Sequence, residues 1–112
     1  MLTILSFGFK FGTPDGLGPH FIIDCRALPN PHGRPDMREL TGKDAPVQEF
    51  VKRDGRYIAL TGDVDRLISE GAKVIAFGCV GGRHRSVTMA ELTCDRLVKL
   101  GHDVEVVHRE ID

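Results

Sequence analysis

Hydrophobic positions along the chain recur with two periods, and the periods divide it into strands and helices. Leu2–Phe7 (LTILSF) is a short apolar run closed by Gly8, and His20–Cys25 (HFIIDC) is a second, rich in aromatic and β-branched residues. Both predict strands. Lys73–Phe77 (KVIAF) predicts a buried strand, and Asp103–Val107 (DVEVV) alternates as a last one. Elsewhere the period lengthens. VQEFVKR, after Pro46, predicts a short helix, and Tyr57, Leu60, Val64, Leu67 and Ile68 form one stripe at helical spacing. That stripe predicts a helix from about Tyr57 to Glu70, with Gly62 admitting a later start at Thr61 or Asp63. Gly71 stands where a helix C-terminus wants a glycine. From Ser86, the positions Val87, Ala90, Cys94, Leu97 and Val98 recur at helical spacing, and Gly101 supplies the stop.

Two stretches follow neither period. Phe9–Pro19 is punctuated by three glycines and two prolines and predicts a loop. Arg26–Pro46 carries Pro29, Pro31, Pro35 and Pro46 and has little hydrophobic period. So long a loop within a compact domain is uncommon and tends to be functional, the plainer reading being a mobile surface excursion. The chain closes as strand, glycine turn, helix, glycine, strand. This βαβ unit imposes parallel pairing, so the fold class is α/β: a small, mostly parallel sheet with helices packed on it. At 112 residues, positions 1–112 form one domain.

Composition narrows the classes of function. Hydrophobic residues make up 41% and charged residues 28%, the proportions of an ordinary globular protein. A formal charge of −1 gives the whole molecule no strong attraction for nucleic acid or acidic membranes, so any such affinity needs a local patch. Cys25, Cys79 and Cys94 are odd in number and form no C-x-x-C pair, which points to reduced thiols in a cytoplasmic compartment. Met1 leads straight into LTILSF without the basic region of a secretory signal, and no apolar run approaches the ~20 residues of a membrane span. His20, His32, His102 and His108 show no metal-ligand spacing, and neither metal nor cofactor is expected.

The chemistry concentrates in Phe77–Val87, FGCVGGRHRSV, where a buried strand turns into a helix. The first turn of a helix exposes unpaired N–H groups with positive potential from the macrodipole. Gly81 and Gly82 let the backbone approach a ligand closely. Arg83 and Arg85 offer guanidinium donors suited to phosphate or carboxylate, His84 adds another, and Ser86 can cap the helix or donate to an anion. Together they predict an anion-binding turn. It is neither G-x-x-x-x-G-K-[ST] nor G-x-G-x-x-G. Cys79 and Arg85 also fit C-x5-R-[ST], the spacing of cysteine-dependent phosphatases, and a thiol at a helix N-terminus has the physical means to attack phosphorus. That enzyme needs a general acid, for which Asp24, Asp36 and Asp63 are the candidates. The sequence favours grip over attack.

SFGFKFG (Ser6–Gly12), FIIDCRALPNPH (Phe21–His32), ELTGKDAPV and GCVGGRHRSV (Gly78–Val87) occur in this order in one family, and nearly the whole chain resembles the C-terminal domain of the RapZ RNase adapter family, also named nucleotide-binding proteins. The resemblance implies a fold like a phosphofructokinase subdomain. It implies a pocket between the two loops that takes glucosamine-6-phosphate, RNA binding within an adapter, and a homo-oligomer. On the matching positions, Asn30, His32, Gly81, His84 and Arg85 line that pocket, with Arg26 and Ser86 as neighbours. Val80 replaces a threonine of the family and removes one hydroxyl. The family's amino-terminal kinase-like domain, with its Walker motifs, is absent from these residues, and HREID at the end lacks the basic tail that helps some members bind RNA. The expected partner is therefore a small phosphorylated metabolite, with RNA as the weaker alternative and no membrane partner.

Overall fold

The computed structural model describes residues 1–111. Strand β1 (Leu2–Gly8) is followed by a 3-10 turn at Phe9–Phe11 and by β2 (Phe21–Asp24). A second 3-10 turn at Pro31–Gly33 leads to α1 (Ala45–Lys52) and α2 (Gly55–Ser69). Then come β3 (Val74–Cys79), α3 (Arg85–Lys99) and β4 (Val104–His108).

The four strands form one sheet in the order β2-β3-β1-β4, and every pairing is parallel. The expected βαβ unit is present, but its strands are not neighbours: α3 carries the chain from β3 past β1 to β4. Because all strands run one way, the loops after β1, β2, β3 and β4 emerge at the same edge. That edge positions the site.

Side-chain alternation sorts the strands into two faces. Leu2 and Ile4 of β1, Ile23 of β2, and Ile75, Phe77 and Cys79 of β3 join Val51, Val64, Leu67, Met89, Ala90 and Leu97 in one core, so all three helices cover the same face. The other face carries Leu5, Phe7 and Ala76 under Phe9 and Leu17. At roughly 25 cal/mol per Å² of apolar surface, the helix-side cluster is the main source of stability. A part-buried polar chain links β1, β4 and α3: His108 of β4 bonds Ser6 Oγ at 2.6 Å through Nδ1 and Glu91 of α3 at 2.8 Å through Nε2.

Helix boundaries differ from the sequence pattern for local reasons. Helix α2 begins at Gly55, because Asp54 caps it by accepting from the Arg56 amide at 2.9 Å. The Arg56 guanidinium holds the Asp54 carboxyl down to about 2. Gly62 lies inside the helix on its exposed side, where its cost is not enough to break the run. Helix α1 starts two residues before the expected Val47, since Pro46 fits the first turn of a helix. In α3 the expected stripe is only partly right. Val98 is 53% exposed and Cys94 half-buried, whereas Met89, Thr93 and Leu97 are buried. The first turn and a half, Arg85–Ala90, is buried on all sides and follows no stripe.

Candidate functional site

The strand-to-helix elbow is built by close backbone packing. Gly82 has φ of +75°, a left-handed conformation that favours glycine, and a Cβ there would sit 2.6 Å from Gly8 N. A Cβ on Gly8 would meet Gly81 C at 2.6 Å. The end of β1 thus presses against the elbow, with no room for a side chain on either glycine.

This packing leaves the elbow's donors unused. The amides of Gly81, Gly82, Arg83, His84 and Arg85 donate to no acceptor among the described residues. The N-cap of α3 is His84, with no side-chain cap bond, so the expectation that Ser86 caps the helix is corrected. Ser86 is fully buried instead; its hydroxyl accepts from Cys79 Sγ at 3.2 Å and its amide donates to the same sulfur at 3.5 Å.

A cavity of roughly 480 Å³ lies at the elbow. Gly81, Gly82, Arg83, His84 and Arg85 line it from the elbow, with Cys79 and Val80, and Asn30 and His32 line it from the proline-rich loop. His84 is 6% exposed and its Nε2 has no hydrogen-bond partner among the described residues. Burial pushes this imidazole below the ordinary histidine range, the carbonyls of Leu40 and Met37 oppose the shift, and Arg83 and His32 add to it. The two imidazole rings lie 6.4 Å apart. At neutral pH His84 is therefore a neutral, desolvated ring at the edge of a donor-rich cavity.

The proline-rich loop is tied to the elbow rather than loose. Arg85 Nη1 donates to the carbonyls of Arg26 at 2.7 Å and Leu28 at 3.3 Å. Gly42 N–H donates to Arg83 O at 2.9 Å, and a Cβ on Gly42 would collide with His84 O and Thr88 N. Asn30 Oδ1 accepts from the His32 amide at 3.1 Å, which sets the turn that presents the His32 ring. One guanidinium nitrogen of Arg85 is thus anchored, which orients the rest of the group.

Two of the residues expected at the site stand elsewhere. The Arg26 side chain pairs with Asp24 at 2.7 Å and lies over the Phe9 ring at 4.1 Å, so it contributes its carbonyl to Arg85 and nothing to the cavity wall. Ser86 lies beneath the wall. Sequence reasoning missed Lys10 and Phe11, which follow β1, and Glu110, which follows β4. Glu110 Oε2 accepts from Gly8 N–H at 2.7 Å and from Arg109 Nε at 3.0 Å. The signal that finds all three is their place just beyond the carboxyl ends of parallel strands, where ligands bind in such sheets. Asp24, Asp36 and Asp63, the candidate general acids, are absent from the lining and are paired with Arg26, Arg34 and Arg66.

No three His, Cys, Asp or Glu side chains are grouped as a metal site among the described residues. No helix among them is long and apolar enough to cross a membrane.

Comparison with known proteins finds relatives that match the whole chain. A family model described as the RapZ C-terminal domain matches residues 1–112. A nucleotide-binding protein of Clostridium novyi (strain NT) is 39% identical over 100% of this chain and 41% of its own length. Those of Jannaschia sp. (strain CCS1) and Alkalilimnicola ehrlichii are 37% and 38% identical, over 99% of this chain in each case and 37% and 41% of their own lengths. The chain thus spans about two fifths of the length of these relatives.

Proposed function

The chain belongs to the RapZ C-terminal domain family, and from that premise we propose that it is a binding module for a small phosphorylated ligand, held at the glycine elbow and released chemically unchanged. The observation that carries the reading is the run of five amides, Gly81 to Arg85, at the start of the 15-residue helix α3, beside Nε2 of the buried His84; none of these groups has a hydrogen-bond partner among the described residues. Unpaired N–H groups at a helix N-terminus attract anions through both hydrogen bonding and the macrodipole. Arg83 and the free nitrogens of Arg85 would add charge-assisted bonds to phosphate oxygens.

Phosphate alone does not define the ligand. Asn30 and His32 offer neutral polar groups for hydroxyls, and the Glu110 carboxylate stands where an ammonium would be welcome. An amino-sugar phosphate such as glucosamine-6-phosphate satisfies this set. The word nucleotide in the relatives' names belongs to proteins of which this chain matches two fifths, and these residues contain no G-x-x-x-x-G-K-[ST] loop. A net charge of −1 adds nothing in favour of RNA. The phosphatase reading is weaker: the Cys79 sulfur is engaged with Ser86, and the one carboxylate in the described lining, Glu110, is held by Gly8 and Arg109.

Calorimetric titration with inorganic phosphate, glucosamine-6-phosphate and glucosamine tests the proposal. Saturable binding of the phosphorylated probes is expected. Arg85→Ala should weaken it by ~1.5–3 kcal/mol, the worth of a charge-assisted bond. Because Arg85 also ties down the proline-rich loop, Arg83→Ala, at an exposed position, is the companion variant and should weaken binding without lowering stability. Absence of saturable binding by every phosphorylated probe overturns the reading, as does aryl-phosphate turnover that Cys79→Ser abolishes.

A further inference from the structure

Two buried thiols that the anion site does not use as ligands stand level with each other beneath the elbow. Asp24 pairs with Gly78 in the parallel ladder of β2 and β3, and Cys25 N–H donates to Gly78 O at 2.7 Å, which brings Cys25 beside Cys79. In-register positions on neighbouring parallel strands project to the same face. Both thiols belong to the helix-side core, Cys25 at 0% and Cys79 at 2% exposure. Neighbouring strands lie ~4.7–4.9 Å apart, inside the ~4.4–6.8 Å between Cα atoms that a disulfide spans.

The two sulfurs differ in surroundings. Cys79 lines the cavity and contacts the Ser86 hydroxyl and amide. Cys25 does not line it, and burial, with the neighbouring Cys79 adding to it, pushes its thiol well above the ordinary range. A small oxidant that enters the cavity therefore meets Cys79 first, with Cys25 protonated behind it.

We propose that Cys25 and Cys79 form a reversible intramolecular disulfide that disables the anion site above them. In the first step the Cys79 sulfur attacks the terminal oxygen of a hydroperoxide. An S–O bond forms, the O–O bond breaks, and the thiol proton passes to the departing oxygen, so the thiol is oxidised to a sulfenic acid and the hydroperoxide is reduced to an alcohol or water. In the second step the Cys25 sulfur attacks the Cys79 sulfur. The S–S bond forms, the S–O bond breaks, and the hydroxyl leaves as water with the proton of Cys25. Two thiols and one hydroperoxide thus give one disulfide, one alcohol or water, and one further water. A dithiol reductant reverses the change by exchange. The disulfide draws the Cys79 sulfur away from Ser86, the second residue of α3, and so loosens the turn whose residues line the cavity. The disulfide itself stands on the strand register; its effect on the anion rests on the binding reading above.

The test treats the whole chain with hydrogen peroxide, alkylates it under unfolding conditions, and maps the cysteine peptides by mass spectrometry for wild type, Cys25→Ala and Cys94→Ser. The expected result is a linked Cys25–Cys79 peptide pair in wild type and Cys94→Ser. In Cys25→Ala the pair is absent and Cys79 is trapped as a dimedone adduct. Phosphate titration of the oxidised wild type should show affinity lowered about tenfold or more, as for loss of one charge-assisted bond, and restored by dithiothreitol. A map in which Cys25 and Cys79 stay unlinked while Cys94 is oxidised overturns the disulfide. A Cys25–Cys79 link with unchanged phosphate affinity overturns its control of the site. If the reduced protein binds no phosphate, the anion reading fails, and the peptide map still decides the disulfide.

Discussion

Gly71 and Gly101 turn the chain out of α2 and α3 with φ of 92° and 93°, and Gly82 turns it towards α3 with φ of 75°. The three residues share a backbone conformation, yet their surroundings differ in what the amides do. After α2, Gly71 N–H donates to Ile68 O and Ala72 N–H to Leu67 O; after α3, Gly101 N–H donates to Val98 O and His102 N–H to Leu97 O. Both are Schellman motifs, in which a helix end satisfies its own carbonyls. The elbow has no such recourse. A helix N-terminus exposes donors, and the turn leading into this one carries Gly81 and Gly82 packed against the β1 backbone, with no side-chain cap at His84. One edge of the sheet is therefore closed upon itself, and the other is left with donors to fill.

The contrast between the two edges is tested most forcefully at Gly82. Gly82→Ala places a methyl group against Gly8 N and Phe7 C in a left-handed conformation. It is expected to cost about 2–4 kcal/mol from strain and overpacking together and to abolish phosphate binding, as read by urea denaturation and calorimetry. Gly71→Ala is the matched control, since a Cβ there meets nothing within 4 Å. It should cost about 1–2 kcal/mol from backbone strain alone and leave phosphate affinity unchanged. A drop in affinity would mean that the two edges are not independent.

A smaller effect probes the elbow through pH. Because burial pushes His84 below its ordinary value of 6.5, the unfolded chain takes up a proton that the folded chain resists. Stability from this group is fully present above the unfolded value and falls as pH drops from about 6.5 towards the folded value. A bound anion favours the imidazolium, so sulfate, which does not titrate in this range, should bind more tightly as pH falls from about 7.5 to about 5.5. His84→Gln should flatten that slope. A slope that survives the substitution places the proton elsewhere.

Much of the fold was legible because short-range rules govern it. The apolar runs of β1 and β3 and the glycine stops at Gly71 and Gly101 each lie within a few residues of the feature they determine. The elbow was legible for the same reason: Gly81, Gly82, Arg83, His84 and Arg85 are contiguous, and their grouping at a helix start carries its own chemistry. The exposed Val98 was misplaced because the start of α3 is enclosed from all sides, which removes any stripe there and shifts the buried face towards Thr93 and Leu97.

Local sequence dictates the elements, the parallel character of the closing βαβ unit, and the donors at one turn, since each depends on neighbours along the chain. Which side chains share the cavity is a matter of packing in three dimensions. The order β2-β3-β1-β4 sets the ends of β1 and β4 beside the elbow and so brings in Lys10, Phe11 and Glu110. It also turns Arg85 towards the carbonyls of Arg26 and Leu28, sinks Ser86 beneath the wall, and sets Cys25 level with Cys79. These outcomes depend on strand order and register, which join segments far apart along the chain, and no local pattern encodes that distance.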